Sequence, residues 1–461
     1  MAAQQTAVEV TGQNLANANN TSYARQRVEF ETSPTVTVDP KVGPQGTGVN
    51  VAAIRSYRDV LLDDQINAET SVSSYWTAQQ EALQNAQTQL GEFLDASVTS
   101  TSSTSSSTSL STQLSSLFNA FQEVAANPAS LTQRQALIDQ AQTLASSLNQ
   151  AAQRLSDVNE RLNTQVTIDV DSANQLLSAI ADLNGQIRTA EASGGTANDL
   201  RDMRQAKLEE LAELVNFDTT TTADGGVDIS IDGVQLVSGR QVMDTLEAYD
   251  AGGGELMVRT ATGGTALTLS SGSIQGTIDA RDGALDTLRT GLDTLAATLI
   301  TEVNAIYNPA SGASYSLTGS SGDDFFTGTD AATIDVYNPL KSNPALLQVA
   351  GVVNAPGDNS VALALGQLGQ TAQAALNGQT FDEAYSGLVA SLGSALSGAN
   401  DQVTSNDAVK TMLLKQRDSI SGVSLDEELA NLVTFQKAYV ASARIISTVD
   451  EMLDTVLSLK R

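Results

Sequence analysis

The most regular pattern of hydrophobic positions lies at the C-terminal end of the chain, in residues 421–461. Apolar residues recur there at seven-residue spacing, and others occupy the half-heptad positions between them. The two sets are Leu425, Leu432, Tyr439, Ile446 and Leu453, and Leu429, Phe435, Ala443, Val449, Val456 and Leu457. The pattern predicts one helix of roughly 50 Å. Its single apolar seam needs a partner helix to cover it.

The ends of this helix are also marked in the sequence. Ser424 and Glu427 have the spacing of a capping box, so the helix is expected to start near Leu425. Acidic residues fill its first turn, and Lys460 and Arg461 lie at its end, which is the arrangement that the helix dipole favours.

Other segments repeat the helical period less completely. Residues 2–18 predict a weak helix with a short seam, and residues 58–94 predict a longer one. Strict heptads predict helices over 137–190 and 285–306, and two further helices are expected over 381–399 and about 401–417. The Ser/Thr run from Thr99 to Ser109 predicts a loop, because it offers no apolar area to bury.

Strand-like alternation appears in two regions. Residues 28–54 predict extended chain with a Gly-rich turn, and 216–278 predict a β-rich insertion that includes the run SIQGTID. Gly43, Gly46 and Gly48 do not favour a phosphate loop, since no Lys-Ser/Thr pair follows and the next element predicts a strand. Asp224, Asp228 and Asp232 favour acidic turns over a calcium site, which needs alternate oxygen ligands and a closing Glu.

Composition narrows the possible functions. The chain of 461 residues has a net charge of −29, so nucleic acid is not expected as a partner. It has no Cys and no His, which excludes Cys nucleophiles, Ser-His-Asp triads and the usual zinc sites. The sequence contains no apolar stretch of about 18 residues, so no membrane span is predicted. The N-terminus lacks the charged and apolar regions of a cleavable signal peptide. We therefore expect no enzyme, no cofactor and no metal.

Several segments carry a family resemblance. Residues 425–459 resemble the C-terminal helix of the bacterial flagellar axial proteins, most closely the hook-associated protein 1 family. The N-terminal segment resembles that family's opening through Asn14, Leu15, Asn17, Asn19, Tyr23, Arg25 and Gln26, although the chain starts several helical turns later. Further matching positions are Asn127, Pro128 and Arg134, then Asp199, Leu200, Asp202 and Arg204, and the Gly-x-Asp-Phe-Phe segment with Phe325 and Phe326 as expected buried anchors.

The resemblance implies a structural subunit at the junction between hook and filament. Such a subunit is exported by the type III route, is located in the extracellular flagellum and polymerises through its terminal helices. Its implied partners are a ring of like subunits, the hook protein, the second junction protein and an export chaperone on the C-terminal helix. No membrane partner is implied.

The order of the elements, together with the resemblance, predicts a fold and an assembly interface. Helical pieces at both ends flank extended and helical material, which flanks the central β insertion, and this nested order fits an elongated molecule. The expected fold is mainly α with a β-rich inserted domain, arranged as an elongated rod with the termini together. Its predicted domains are terminal (1–30 and 420–461), rod (31–215 and 279–419) and inserted (216–278). The expected interface consists of Val10, Asn14, Leu15, Asn17, Leu425, Leu429, Leu432, Phe435, Tyr439, Ile446, Val449, Leu453 and Val456.

Other functions remain open from the sequence. A hydrolase with paired carboxylates is one, although no acidic motif lies among aromatic residues. A secreted adhesin, the hook protein or the second junction protein would share the terminal helices. The segments at 198–204 and 322–326 favour the hook-associated protein 1 family over these.

Overall fold

The structure, a computed structural model, describes residues 1–20, 22–37, 43–94, 109–192 and 194–459. It divides into two compact units. The first comprises Met1–Tyr75, Thr167–Gln275 and Thr404–Arg461, and the second comprises Trp76–Val166 and Gly276–Val403. Residues 99–108 of the predicted Ser/Thr loop, and Lys460 and Arg461, lie outside the described residues.

Long helices dominate both units, so the predicted mainly α fold with a β-containing insertion is confirmed. The α-helices are α1 (Ala2–Ala16), α2 (Val60–Leu94), α3 (Leu110–Ala126), α4 (Leu131–Glu191), α5 (Asn198–Leu214), α6 (Ser273–Ala280), α7 (Asp286–Tyr307), α8 (Asn338–Ser342), α9 (Ser360–Leu368), α10 (Phe381–Ser421) and α11 (Leu425–Ser458). A π-helical turn, Arg281–Leu285, joins α6 to α7, and short 3-10 turns lie at Pro344–Leu346 and Ala374–Leu376.

The strands pair in antiparallel fashion. They are β1 (Gln26–Thr32), β2 (Val49–Ser56), β3 (Asp218–Thr221), β4 (Val227–Ile231), β5 (Val234–Ser238), β6 (Gln241–Val242), β7 (Leu246–Asp250), β8 (Leu256–Thr260), β9 (Phe326–Thr327) and β10 (Asp335–Val336). β1 pairs with β2, β3 to β6 form one sheet in sequence order, β7 pairs with β8, and β9 pairs with β10. The Gly-rich turn at 43–48 therefore connects two strands, as predicted.

The core of the second unit is built from the predicted heptads. Leucines of α4 and α7 are buried with residues of α3, α9 and α10 in one hydrophobic cluster. Phe325 and Phe326 are fully buried there, and the Phe325 ring packs against Phe121 and Tyr307. The expectation that both phenylalanines are anchors is confirmed. Arg134 fixes the preceding Asn-Pro turn, since its Nε donates to the Pro128 carbonyl at 2.7 Å.

Two predicted elements are wrong. The pair of helices expected over 381–417 is the single helix α10, because a Gly weakens a helix without ending it and Ala399 continues the buried face. The run SIQGTID, predicted as strand, begins α6. Ile274 and Ile278 are both buried at a spacing of four residues, which fits one helical face as well as it fits an alternating pattern.

A recurring contact in both units joins a helix to the first residue of a strand. Among the described residues, four Asn side chains each accept from the N–H and donate to the carbonyl of one strand residue, at 2.8 to 3.1 Å. The pairs are Asn14 with Gln26, Asn174 with Leu246, Asn184 with Val227, and Asn304 with Phe326. Each amide satisfies the first backbone groups of a strand.

The two units group the residues differently from the three predicted domains. The terminal segments and the strands β3 to β8 share the first unit, a grouping that the nested order of the sequence does not predict. The predicted domain boundaries remain a prediction. In the part of the chain that the structure describes, no helix combines the length and apolar character needed to cross a membrane.

Candidate assembly surface

The two ends of the chain meet in the first unit, where α1 packs against α11. Asn14, near the end of α1, contacts Glu428 near the start of α11. Ala7 and Val10, earlier in α1, pack with Phe435, later in α11. The two helices therefore run antiparallel, because later residues of α1 contact earlier residues of α11. The termini therefore lie together, as expected, and α1 is the partner helix for this part of the α11 seam.

The pairing leaves the C-terminal part of α11 uncovered. α1 has 15 residues and α11 has 34, so their lengths are about 22 and 51 Å. Residues of α11 up to Ala443 alternate between covered and open positions, whereas every described residue from Arg444 to Leu459 is exposed.

The open end of α11 continues the face that α1 covers. Ile446 and Leu453 lie two and three heptads after the half-buried Leu432. Val449 and Val456 lie two and three heptads after the half-buried Phe435. We call Ile446, Val449, Leu453 and Val456 the apolar stripe; its members are 52%, 43%, 55% and 63% exposed. A stripe of this kind offers a surface for another apolar helix.

The start of α11 is fixed by polar contacts. The carboxylate of Glu428 accepts from Asn14 Nδ2 at 3.0 Å and from Arg25 Nε and Nη2 at 2.9 and 2.7 Å. Glu428 is 2% exposed, so this ion pair is screened little by solvent. We call Asn14, Arg25 and Glu428 the terminal clamp.

Helix α5 also holds the N-terminal segment in place. Asp199 accepts from the side-chain amides of Gln13 and Gln26, both at 2.6 Å. Asp202 accepts from the Ala24 N–H at 3.1 Å and from Arg58 at 2.9 Å. The two acids therefore bind both the last turns of α1 and the segment that follows it.

Burial affects the titration of this region. Desolvation raises the pKa of Asp202 and of Asp63, and the Arg58 guanidinium that binds both carboxylates opposes that rise. Desolvation also raises the pKa of the Tyr23 hydroxyl, with the nearby carboxylates acting in the same direction. Tyr23 therefore stays protonated and donates to Asn14 Oδ1 at 2.9 Å.

The residues predicted for the interface fall into two groups. Val10, Asn14 and Phe435 lie in the α1–α11 contact, and Leu432 on α11 and Leu15 and Asn17 on or just after α1 are half-buried. The remainder are exposed, namely Leu425, Leu429, Tyr439, Ile446, Val449, Leu453 and Val456. Sequence reasoning missed Glu428 and Arg25 as a pair, because no local pattern links residues so far apart in the chain.

The predicted capping box at the start of α11 is wrong. Helix α11 does start at Leu425 after Ser424, but the Ser424 side chain makes no capping hydrogen bond. Glu427, its expected partner, instead pairs with Arg25 Nη1 at 2.9 Å. The tertiary ion pair replaces the local motif.

In the described part of the chain, no cluster of three or more His, Cys, Asp or Glu side chains could hold a metal ion. Asp224, Asp228 and Asp232 bind separate groups: Asp224 pairs with Arg188, Asp228 accepts from the Gly239 N–H, and Asp232 accepts from the Thr268 N–H.

Comparison with known proteins decides the family. The family model for the flagellar hook-associated protein FlgK helical domain matches residues 96–326. The chain belongs to the FlgK family of flagellar hook-associated proteins. A second model, for the C-terminal region of the flagellar basal body rod proteins FlgEFG, matches residues 415–459, which include all of α11.

Relatives match over nearly the whole chain. Flagellar hook-associated protein 1 of Bacillus subtilis is 27% identical over 508 residues, with 99% of this chain and 96% of that protein covered. The protein of the same name from Escherichia coli is 24% identical over 554 residues, with 99% and 98% covered. The predicted family and the structural role in the flagellum are confirmed.

A solved structure supports the fold. The flagellar hook junction protein FlgK from Burkholderia pseudomallei superimposes with a TM-score of 0.64 at 17% identity. The match covers 78% of this chain and 100% of that chain. FlgK-family membership places this protein among structural components that assemble with other axial proteins of the flagellum.

Proposed function

We propose that this chain is a subunit of the hook–filament junction that polymerises through its terminal helices after type III export. The observation that carries the proposal is the apolar stripe, which continues the α1-covered face of α11 and is open in the single chain. Burying apolar side chains stabilises an assembly by about 25 cal/mol for each Å² removed from water. Helices of neighbouring copies in a ring would cover the stripe.

The same surface accounts for the proposed partners. An exposed apolar helix needs protection before assembly, so a small export chaperone would bind α11 in the cell. The hook protein and the second junction protein would contact the assembled ring on its two sides. The proposed role is structural, and we assign the chain no catalytic activity.

The decisive experiment substitutes the stripe. We expect the double variant Ile446→Asp, Leu453→Asp to fold normally, because both side chains are exposed in the single chain. It should nevertheless fail to build filaments, because charges on a buried helix interface are costly. The measurements are circular dichroism of the purified variant and electron microscopy of the hook–filament boundary in cells that carry it.

A matched control lies on the same helix. Thr448 and Thr455 are also exposed and also seven residues apart, but on the opposite face of α11. Thr448→Asp, Thr455→Asp should leave filaments intact. Normal filaments in the stripe variant would contradict the proposal.

Deletion separates this protein from other axial proteins. Cells without it should keep their hooks and release filament subunits into the medium, whereas loss of a hook protein removes hooks altogether. Cells that lack hooks after the deletion would favour the alternative assignment.

A further inference from the structure

Glu428 is an unusual residue in α11. The helix is mostly open to solvent, yet the Glu428 carboxylate is buried, with three donors from Asn14 and Arg25 around it. Its neighbour Glu427 also pairs with Arg25, but its side chain is 62% exposed. Removing a partner from a buried ion pair costs far more than removing one at the surface. Loss of the Glu428 charge should therefore destabilise the structure more than loss of the Glu427 charge.

Both partners of Glu428 are fixed to the body of the first unit. The Arg25 N–H donates to the carbonyl of Ser421, the last residue of α10, at 2.9 Å, and the Arg25 carbonyl accepts from the Tyr57 N–H at 2.9 Å. Asn14 binds both backbone groups of Gln26, at the start of β1. The terminal clamp thus links α11 to α1, to the end of α10 and to the first strand pair.

Few other polar contacts hold α11 in place. Among the described residues, the side chains of α11 that form hydrogen bonds or ion pairs with other elements are those of Glu427 and Glu428. Farther along, α11 is held by apolar packing, such as the contact of Phe435 with Phe30. Only residues 422–424 separate α10 from α11, so a small rotation there would move the apolar stripe by a large distance.

We propose that Glu428 is a positioning residue that sets the direction in which α11, and with it the apolar stripe, leaves the first unit. A buried carboxylate tolerates little displacement from its donors, because any movement leaves charge unpaired. Packing of α1 supplies Asn14, so the direction of α11 is coupled to the docking of α1. This inference rests on the proposed function, since it names what aims the assembly surface.

The test measures the direction of α11 directly. The chain contains no Cys, so spin labels can be attached to pairs of introduced cysteines. Glu213→Cys on α5 and Lys437→Cys on α11, both exposed, report the distance between α11 and the body of the unit. Glu213→Cys with Gln235→Cys, on β5, gives a reference distance inside the body.

We expect Glu428→Gln to broaden the α5–α11 distance distribution and to leave the reference distance unchanged. Filament number should fall about tenfold, the factor that corresponds to one lost hydrogen bond to a charged group. Glu427→Gln, the matched control, should change neither quantity. Arg25→Gln removes the pair from the other side and should also broaden the distribution. Narrow distributions in both Glu428→Gln and Arg25→Gln would overturn the inference.

The result can be separated from failure of the proposed function. The stripe variant Ile446→Asp, Leu453→Asp should keep the narrow α5–α11 distance while losing filaments. If the stripe variant builds filaments, the proposed function is wrong. A Glu428→Gln protein with a narrow distance and normal filament number removes only the positioning role.

Discussion

At the residue scale, the structure depends on single polar side chains whose role is invisible in a local pattern. The four Asn residues that hold the first residues of strands lie in helices, where Asn is an unfavourable residue. An Asn inside a predicted helix is therefore the signal in the sequence for such a contact. Of the four, Asn14 also matches the family resemblance. Which strand each Asn binds depends on contacts 12 to 72 residues away in the chain, and helical periodicity carries no such information.

Asn184 provides the sharpest test of this contact. It is 2% exposed and binds the N–H and carbonyl of Val227, the carbonyl of Gly239 and the side chain of Arg204. Asn184→Ala leaves these buried groups unpaired and should lower the local opening free energy by about 3 kcal/mol. Hydrogen exchange of the Val227 amide measures this change. Gln235→Ala, at an exposed position of the same sheet, is the control, and equal exchange in the two variants would contradict the prediction.

At the element scale, the sequence predicted those helices whose heptads run long, namely α4, α7 and α11, and the extended chain and turn that contain β1 and β2, but not the pairing of these two strands. It failed where two periods fit one run, as in SIQGTID, and where it divided α10 into two helices. For the assembly surface, the heptads predicted an apolar seam on α11. They could not divide it into the part that α1 covers and the part that stays open, because both parts share one repeat.

The connection into α6 depends on a single glycine. Gly272 has φ +92°, and a Cβ there would lie 2.4 Å from the Leu214 carbonyl oxygen, which belongs to the backbone and cannot turn aside. Gly272→Ala should destabilise the first unit by about 2 kcal/mol or more. Gly283→Ala, in the π-helical turn, meets nothing within 4 Å and should be close to neutral. Urea unfolding of the two variants makes the comparison, and equal midpoints would show that the backbone adapts.

At the scale of the whole molecule, charge opposes assembly and apolar contact drives it. The net charge is −29, and basic residues such as Arg25, Arg58, Arg201 and Arg417 are already committed to internal ion pairs. The excess acidic residues therefore cause repulsion between copies of the chain. Asp450 and Asp454 are exposed along one edge of the apolar stripe, so neighbouring subunits must bring like charges together in order to cover it.

This balance predicts that added salt favours incorporation. The Debye screening length shortens from about 30 Å at 0.01 M to about 8 Å at 0.15 M ionic strength, so repulsion between copies should weaken over that range. Purified chain added to isolated hooks should incorporate severalfold more at 0.15 M NaCl than at 0.01 M, as counted by electron microscopy. The double variant Asp450→Asn, Asp454→Asn should incorporate better at low salt and respond less to added salt. Incorporation that falls as salt rises would mean that attraction between opposite charges, and not the apolar stripe, dominates the contact.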